Sequence, residues 1–267
     1  AHKEECLNMK KISRRSFLAA AAVSAAALAL TACGGSASTA SSAAASSVAA
    51  SSEAASTSAA AAELTTVEAG KLTMATNATF PPYEMTTDAG TIEGIDVDTA
   101  QAIAEKLGLE LQIDDMDFDA ALLSVQQGKA DIAMAGITVT DERMAVMSFS
   151  DSYATGIQSV IVPEGSDIAS VDDLAGKKIG TQRGTTGYLY CSDDFGEDAV
   201  VAYDNGLTAV QALNNGQVDA VVIDNEPAKA YVESNPGLKI LDTSYAEEDY
   251  AIGMNKSNTA LLEAVNA

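Results

Sequence analysis

From about residue 64 onward, apolar positions follow two regular spacings. Short apolar runs typical of strands lie at 71–76, 109–113, 131–135, 177–181 and 218–223. Between them, apolar residues recur at helical spacing over 97–107, 119–127 and 207–215, and each of these segments ends just before a glycine. Asp96 precedes the first segment and is predicted to cap it. The alternation predicts α/β units around mainly parallel sheets.

One helix–glycine–strand unit occurs twice. Gly128 and Asp131 in the first copy correspond to Gly216 and Asp219 in the second. The repeat predicts two similar α/β lobes, and the alternative is chance resemblance between two common units. Ligands of open α/β sheets bind beyond the carboxyl ends of the strands. If those two ends face each other, they form a cleft between the lobes.

Composition excludes several classes of function. The chain has 267 residues with 15 Lys+Arg against 38 Asp+Glu, a net charge of −23, which argues against a nucleic-acid partner. His2 is the only histidine, so catalysis by a buried imidazole is excluded. The three cysteines, Cys6, Cys33 and Cys191, are too far apart for a disulfide framework or a thiolate metal site. We therefore expect no metal and no cofactor.

Residues 1–33 are predicted to be a leader and a lipoprotein signal. Met9 is followed by a basic stretch and then by an uncharged run that ends at Cys33. The end of this run resembles the bacterial lipobox, which implies a lipid on Cys33, cleavage before it and attachment to the outer face of a membrane. The alternative is an ordinary transmembrane anchor. Residues 13–18 also resemble a twin-arginine signal, which leaves the export route open.

Two further expectations concern residues 1–8 and residues 34–63. Residues 1–8 precede the expected initiator Met9, which makes Cys6 incidental. Residues 34–63 consist almost wholly of Ser, Ala, Thr and Gly. Such a segment lacks the large apolar side chains that offset the entropy of ordering, and we expect a flexible tether.

Arg143 is a candidate anion-binding residue. Thr140 is predicted to cap a short helix in which Arg143 lies one turn from the start. Its planar guanidinium could then grip a carboxylate. The alternative is a surface ion pair with Asp141 or Glu142.

Two other segments carry complementary chemistry. Residues 182–187, Gln-Arg-Gly-Thr-Thr-Gly, leave a strand and open a helix near Tyr188, where free N–H groups can bind an anion. The alternative is an ordinary glycine-containing connection. Asp224 follows a buried strand and needs a partner such as an ammonium group, or else it caps a helix that begins near Pro227. Together with Arg143, these groups are complementary to a zwitterion.

These segments resemble a known family. The segments that carry the resemblance are 75–84, 94–98, 135–143, 149–151, 184–187 and 220–224. In order and spacing they resemble the family 3 extracellular solute-binding proteins, the polar amino-acid receptors of ABC importers, from about Leu72 to Leu262.

The resemblance implies a two-lobed, type II periplasmic-binding-protein-like α/β fold. Lobe 1 is expected over 64–155 and 245–267, and lobe 2 over 156–244. The crossing segments near 152–161 and 243–253 would form the hinge. Family members usually continue past the helix that starts near Thr259, so lobe 1 is expected to lack part of its cover.

The resemblance also assigns roles to the charged ends of the ligand. Arg143 would clamp the α-carboxylate, helped by the backbone and hydroxyl of Thr186. The α-ammonium would be held by Asp224, Thr138 and the carbonyl of Gly136.

The ligand side chain would meet a separate group of residues. Asn77, Phe80 and Phe118 would line its pocket, with Gln182 and Thr185 facing it from lobe 2. Many family members have Asp at the position of Asn77, whereas Asn is neutral and both donates and accepts hydrogen bonds. This favours a neutral polar amino acid such as glutamine, although the arginine that follows Gln182 leaves acidic ligands open.

The resulting hypothesis is a receptor that performs no chemistry. We expect a monomer, lipid-anchored outside the cytoplasm, that closes on a free amino acid and delivers it to an ABC permease and its ATPase. The first alternative is a cyclohexadienyl dehydratase-like enzyme on the same fold, with Glu226 beside Asp224 as an acid. The second is a ligand sensor for a separate signalling partner.

Overall fold

The computed structural model describes residues 64–242 and 244–267. The predicted leader and lipoprotein signal with Cys33, and the predicted tether at 34–63, lie outside the described residues. Within these two ranges, no helix is both long and apolar enough to cross a membrane. The predicted α/β class is confirmed, with seven helices packed around two larger sheets in the part of the chain that is described.

The first sheet is built from both ends of the described chain. In sheet order its strands are β5 (Glu110–Asp115), β1 (Lys71–Thr76), β6 (Ile132–Ala133), β14 (Gly253–Met254) and β7 (Ser148–Phe149). Its helices are α1 (Ile95–Leu107), α2 (Phe118–Gln126), α3 (Asp141–Val146) and α7 (Thr259–Asn266). A small sheet of β2 (Thr79–Phe80), β3 (Glu84–Thr86) and β4 (Ile92–Glu93) precedes α1. We call this unit lobe 1.

The second sheet belongs to lobe 2. In sheet order its strands are β10 (Val200–Tyr203), β9 (Ile179–Gln182), β11 (Ala220–Asp224), β8 (Ala154–Pro163) and β12 (Leu238–Ile240), with β13 (Ala246–Tyr250) also paired to β8. Helices α4 (Thr186–Phe195), α5 (Gly206–Asn214) and α6 (Asn225–Ser234) flank it. Both sheets are mixed, but most strands in each share one direction. Among the described strands, β14 alone runs against the others in the first sheet, and β8 alone does so in the second.

The predicted repeat is present in the two lobes. Gly128 and Gly216 each follow a helix. Their φ angles are positive, 67° and 68°, a conformation that glycine adopts without steric strain. Asp131 then accepts a hydrogen bond from the backbone N–H of Thr73 at 2.8 Å, and Asp219 accepts one from Lys178 at 2.7 Å. In both lobes, the aspartate thus fixes the start of the neighbouring parallel strand.

Two antiparallel strands carry the chain between the lobes. β8 pairs with β13 from Gln158 opposite Ala246 to Ala154 opposite Tyr250. Tyr250 also forms a β-bridge with Thr138, so β13 contacts both lobes. The segments expected to form the hinge, 152–161 and 243–253, contain the paired residues 154–158 and 246–250. Thr243, within the second segment, lies outside the described residues.

One predicted cap is wrong. α1 begins at Ile95 after Gly94, and Asp96 is fully buried within its first turn instead of capping it. The Asp96 carboxylate accepts hydrogen bonds from the N–H of Gly136 at 3.2 Å and from the hydroxyl of Tyr153 at 2.9 Å. It therefore supports the end of a neighbouring segment rather than the helix in which it lies.

The close contact between Gly156 and Tyr250 gives a test of the hinge packing. A Cβ at Gly156 would lie 2.4 Å from the Tyr250 ring, so Gly156→Ala should destabilise the fold by about 1–3 kcal/mol through overpacking. Gly165→Ala is the matched control, because nothing lies within 4 Å of its added Cβ. Urea unfolding of both variants would measure the difference, and equal stabilities would contradict the described packing.

Candidate functional site

The ten residues predicted to bind ligand line one cavity between the lobes. Those from lobe 1 are Asn77, Phe80, Phe118, Gly136, Thr138 and Arg143, and those from lobe 2 are Gln182, Thr185, Thr186 and Asp224. Glu84 and Ala135 complete the lining. The structure thus brings the predicted residues together, while their roles as ligand contacts stay predictions.

Arg143 is held in the cavity wall by its own helix. Thr140 caps α3 as predicted, with its hydroxyl accepting from the N–H of Arg143 at 3.2 Å. The guanidinium lies over the Phe118 ring, 5.3 Å from its centroid, and donates to the carbonyls of Thr138 and Gly184 at 2.7 and 3.1 Å. Since Arg143 is only 8% exposed, the alternative of a surface ion pair is wrong. Burial lowers the pKa of Arg143, and the nearby charges of Glu248, Asp119 and Asp224 oppose this shift.

Asp224 presents the opposite charge from lobe 2. It ends β11 and precedes α6, which begins at Asn225, but its side chain makes no capping hydrogen bond, so the capping alternative is wrong. Its carboxylate accepts from Gln158 at 2.8 Å and from the hydroxyl of Tyr250. Burial, with a smaller contribution from the nearby charge of Glu248, raises the pKa of Asp224 to about 7, although the hydrogen bonds from Tyr250 and Gln158 oppose this shift.

The loop between β9 and α4 supplies the start of a helix. α4 begins at Thr186, two residues earlier than predicted, and Thr185 caps it by accepting from the N–H of Tyr188. Gly184 has a φ of +74°, and a Cβ there would lie 1.7 Å from a carboxylate oxygen of Asp119. Glycine therefore lets this loop approach lobe 1 closely enough for its carbonyl to reach Arg143.

Two neutral amides close the far side of the cavity. Gln182 donates to the amide oxygen of Asn77 at 3.0 Å, across the two lobes. The amide nitrogen of Asn77 donates to the carbonyl of Met116 at 2.8 Å, and its oxygen also accepts from Thr79 at 2.9 Å. The Asn77 amide is therefore fixed in orientation, and it adds no charge to this side of the cavity.

The lobes touch directly across the cleft. Besides the Arg143–Gly184 and Asn77–Gln182 bonds, the hydroxyl of Tyr231 in lobe 2 donates to the carbonyl of Thr79 in lobe 1. The structure therefore shows the closed arrangement of the two lobes.

Glu84 is the cavity residue that sequence reasoning left without a role. It is fully buried on β3, and its carboxyl shares a hydrogen bond with the carboxyl of Asp96. Burial, then the charge of Asp96, raise its pKa well above the usual range. Glu84 stands inside one of the segments that carry the family resemblance, but a three-residue strand has no periodicity that would show which way its side chain points.

Gln158 and Glu248 were also missed. Both are buried on the hinge strands β8 and β13, and both contact residues of the cavity lining. Their approach depends on the pairing between strands far apart in sequence. No local pattern could have shown it.

The cavity combines a cationic fork, a carboxylate and neutral hydrogen-bonding groups. Arg143 suits a carboxylate, because its N–H groups form a planar fork, and Asp224 suits an ammonium group. The site and the two hinged α/β lobes define a protein that encloses a small polar ligand between its lobes.

Comparison with known proteins identifies the family. The sequence profile of the bacterial extracellular solute-binding proteins, family 3, matches residues 72–267, and the chain belongs to this family. A probable histidine-binding protein from Neisseria gonorrhoeae is 33% identical over 199 residues, which cover 72% of this chain and 74% of the relative. The L-cystine-binding protein TcyJ of Escherichia coli K12 is 31% identical over 203 residues, covering 74% and 76% of the two chains.

Solved structures give the same fold. The arginine-bound, truncated ArgBP from T. maritima superposes with a TM-score of 0.71 at 40% identity, covering 74% of this chain and 93% of that one. An ancestral arginine-binding protein bound to glutamine superposes with a TM-score of 0.70 at 41% identity, covering 74% and 90%. The two-lobed fold is therefore confirmed.

The raised pKa of Asp224 predicts how stability responds to pH. The folded pKa of about 7 exceeds the ordinary value of 3.8, so folding favours the protonated acid. The stability that this group contributes is present at low pH and is lost as the pH rises through about 7, by at most about 1.4 kcal/mol per pH unit.

The test compares the ligand-free wild type with Asp224→Asn. In urea unfolding at about pH 8 and about pH 5.5, the free energy of unfolding of the wild type should rise relative to that of the variant as the pH falls, since only the wild type carries this acid. Buried acids that do not interact with Asp224 contribute equally to both proteins and cancel in the difference. A difference between the two proteins that does not change with pH would contradict the raised pKa.

Proposed function

We propose that this protein captures a free polar α-amino acid between its two lobes and delivers it to an ABC importer. The ligand would lie in the cavity as a zwitterion, with its carboxylate on Arg143 and its ammonium on Asp224. The proposal agrees with the names of the relatives, which are binding proteins for histidine, cystine, arginine and glutamine.

The observation that carries the proposal is a pair of buried, opposite charges without ionic partners. Arg143 is bonded to carbonyl groups, Asp224 to an amide and a hydroxyl, and neither forms a salt bridge in the part of the chain that is described. Buried charges are stabilised by pairing. A zwitterion supplies both missing partners at once.

The ligand class follows from the uncharged side of the cavity. The hydrogen-bonded amides of Asn77 and Gln182 offer neutral polar groups there, and Phe80 and Phe118 offer apolar walls. A neutral polar amino acid such as glutamine fits this chemistry best.

Closure of the two lobes is the change that a transporter would recognise. Arg143 belongs to lobe 1 and Asp224 to lobe 2, so a ligand that contacts both binds the closed state more tightly than the open one. The closed head would then dock on the permease, whose ATPase drives uptake. A lipid on Cys33 and the tether of residues 34–63 would keep the monomeric head outside the cytoplasm and near the membrane.

We further propose that the head performs no chemistry. The dehydratase alternative requires Glu226 to act beside Asp224 as an acid. Glu226 instead pairs with Lys229 at 2.6 Å and does not line the cavity that holds Arg143. Incubation with prephenate or arogenate should leave both unchanged, and formation of phenylpyruvate or phenylalanine would refute this proposal.

The ligand can be found with a thermal-shift screen of the twenty amino acids. A ligand that binds only the folded head raises its melting temperature, by an amount that grows with the logarithm of the ligand concentration relative to Kd. We expect the largest shift for glutamine or another neutral polar amino acid. A screen in which no amino acid raises the melting temperature would contradict the proposed function.

The clamp itself is tested by removing each charge. Arg143→Ala and Asp224→Ala should each weaken binding of the amino acid by at least about 2 kcal/mol, because each leaves a buried charge of the ligand unpaired. Isothermal titration calorimetry measures the effect. Arg183→Ala is the matched control, since Arg183 lies one residue from the cavity lining but its side chain is 58% exposed. If either Arg143→Ala or Asp224→Ala binds the amino acid with wild-type affinity, the proposed contact of that residue is contradicted.

A further inference from the structure

Glu248 is a buried carboxylate in the hinge to which the proposed clamp assigns no role. It lies in the middle of β13 and is 6% exposed, while its neighbour Glu247 on the same strand is exposed. Successive side chains of a strand point to opposite faces, so Glu248 points inward where Glu247 points to solvent. A buried carboxylate is unfavourable unless it is hydrogen-bonded or paired with an opposite charge.

One carboxylate oxygen of Glu248 accepts hydrogen bonds from both lobes and from the hinge. Its Oε2 accepts from the hydroxyl of Thr186 at 3.0 Å, from the amide of Gln158 at 3.0 Å and from the hydroxyl of Thr138 at 3.2 Å. Thr138 belongs to lobe 1, Thr186 starts α4 in lobe 2, and Gln158 lies on β8. The two threonine oxygens are 3.5 Å apart, so this contact requires the closed arrangement.

We propose that Glu248 is a positioning residue that holds the lobes closed and sets the direction of the two threonine hydroxyls in the cleft. Hydrogen bonds to an ionised acceptor are stronger than those between neutral groups. Separation of the lobes breaks at least one of them, which favours the closed state before any ligand contributes.

The same bonds determine what the cleft offers to a ligand. An ionised carboxylate only accepts hydrogen bonds, so Thr138 and Thr186 point their hydroxyl hydrogens at Glu248. Their remaining lone pairs can accept from an ammonium group but cannot donate to a carboxylate. The hydroxyl of Thr186, expected to help hold the α-carboxylate, is therefore committed to Glu248, which leaves its backbone N–H for that task. This point rests on the proposed function.

The first test needs no ligand. Hydrogen–deuterium exchange of the full chain should show severalfold faster exchange in Glu248→Ala for cleft peptides of both lobes, around 136–143 and 182–188, because the lobes separate more often. Core peptides of β1 and α5 should be unchanged. Glu248→Gln, which keeps an accepting oxygen without the charge, should lie between wild type and Glu248→Ala. Glu247→Ala should match the wild type, since it removes the same charge from the same strand but on its exposed face.

A purely structural role gives a different result. If Glu248 only supports the fold, its removal would accelerate exchange in β1 and α5 as much as in the cleft, or would leave the cleft peptides unchanged. Either result overturns the proposal. Glu248→Gln keeps the size of the side chain, so the comparison holds even if Glu248→Ala folds poorly.

The second test follows the bonds to the threonine. Glu248→Ala should weaken binding of the amino acid by about tenfold. Thr186→Val should reduce the affinity much less in the Glu248→Ala background than in the wild type, because the two residues act through one hydrogen bond. Full additivity would overturn the positioning role. If the wild type binds no amino acid, the proposed function fails, while the ligand-free exchange experiment still decides the role of Glu248.

Discussion

The structure depends on two opposite charges that are removed from water and left to face one cavity. Arg143 and Asp224 are both more than nine-tenths buried, and both are bonded only to neutral groups of the protein. Such an arrangement is unfavourable for a folded chain by itself. Much of the surrounding architecture holds these two side chains in place, including the Thr140 cap, the Phe118 ring and the hydroxyl of Tyr250.

The division into two lobes gives this arrangement its use. Each lobe carries one of the charges, and the paired strands β8 and β13 are the path by which movement of one lobe reaches the other. Gly184 permits the close approach of the lobes, since its carbonyl meets Arg143, and within lobe 1 Gly136 leaves room for the Phe80 ring, which would lie 2.6 Å from a Cβ there. Binding and closure therefore involve the same few contacts.

Sequence reasoning succeeded where the signal is local and failed where it depends on distant pairing. The helices ended within a residue or two of their predicted positions, because apolar spacing and the following glycines are local signals. Asp96 was expected to cap α1, since nothing nearby in sequence shows that Gly136 and Tyr153 would use its carboxylate. Glu84 and Glu248 went without roles for the same reason. Arg143, Asp224 and the segment 182–187 were singled out by their local chemistry. The other cleft residues came from the family resemblance, which carries information about the fold that spacing alone does not.

The position of β14 has a consequence for the order of folding. This two-residue strand lies in the interior of the first sheet, between β6 and β7, yet it comes near the end of the chain. As the polypeptide is synthesised, the strands of lobe 2 are all available by residue 250, whereas the first sheet lacks an inner strand until residue 254 has emerged. Lobe 1 therefore begins first but is completed last, and its unfinished sheet exposes unpaired backbone groups throughout the synthesis of lobe 2.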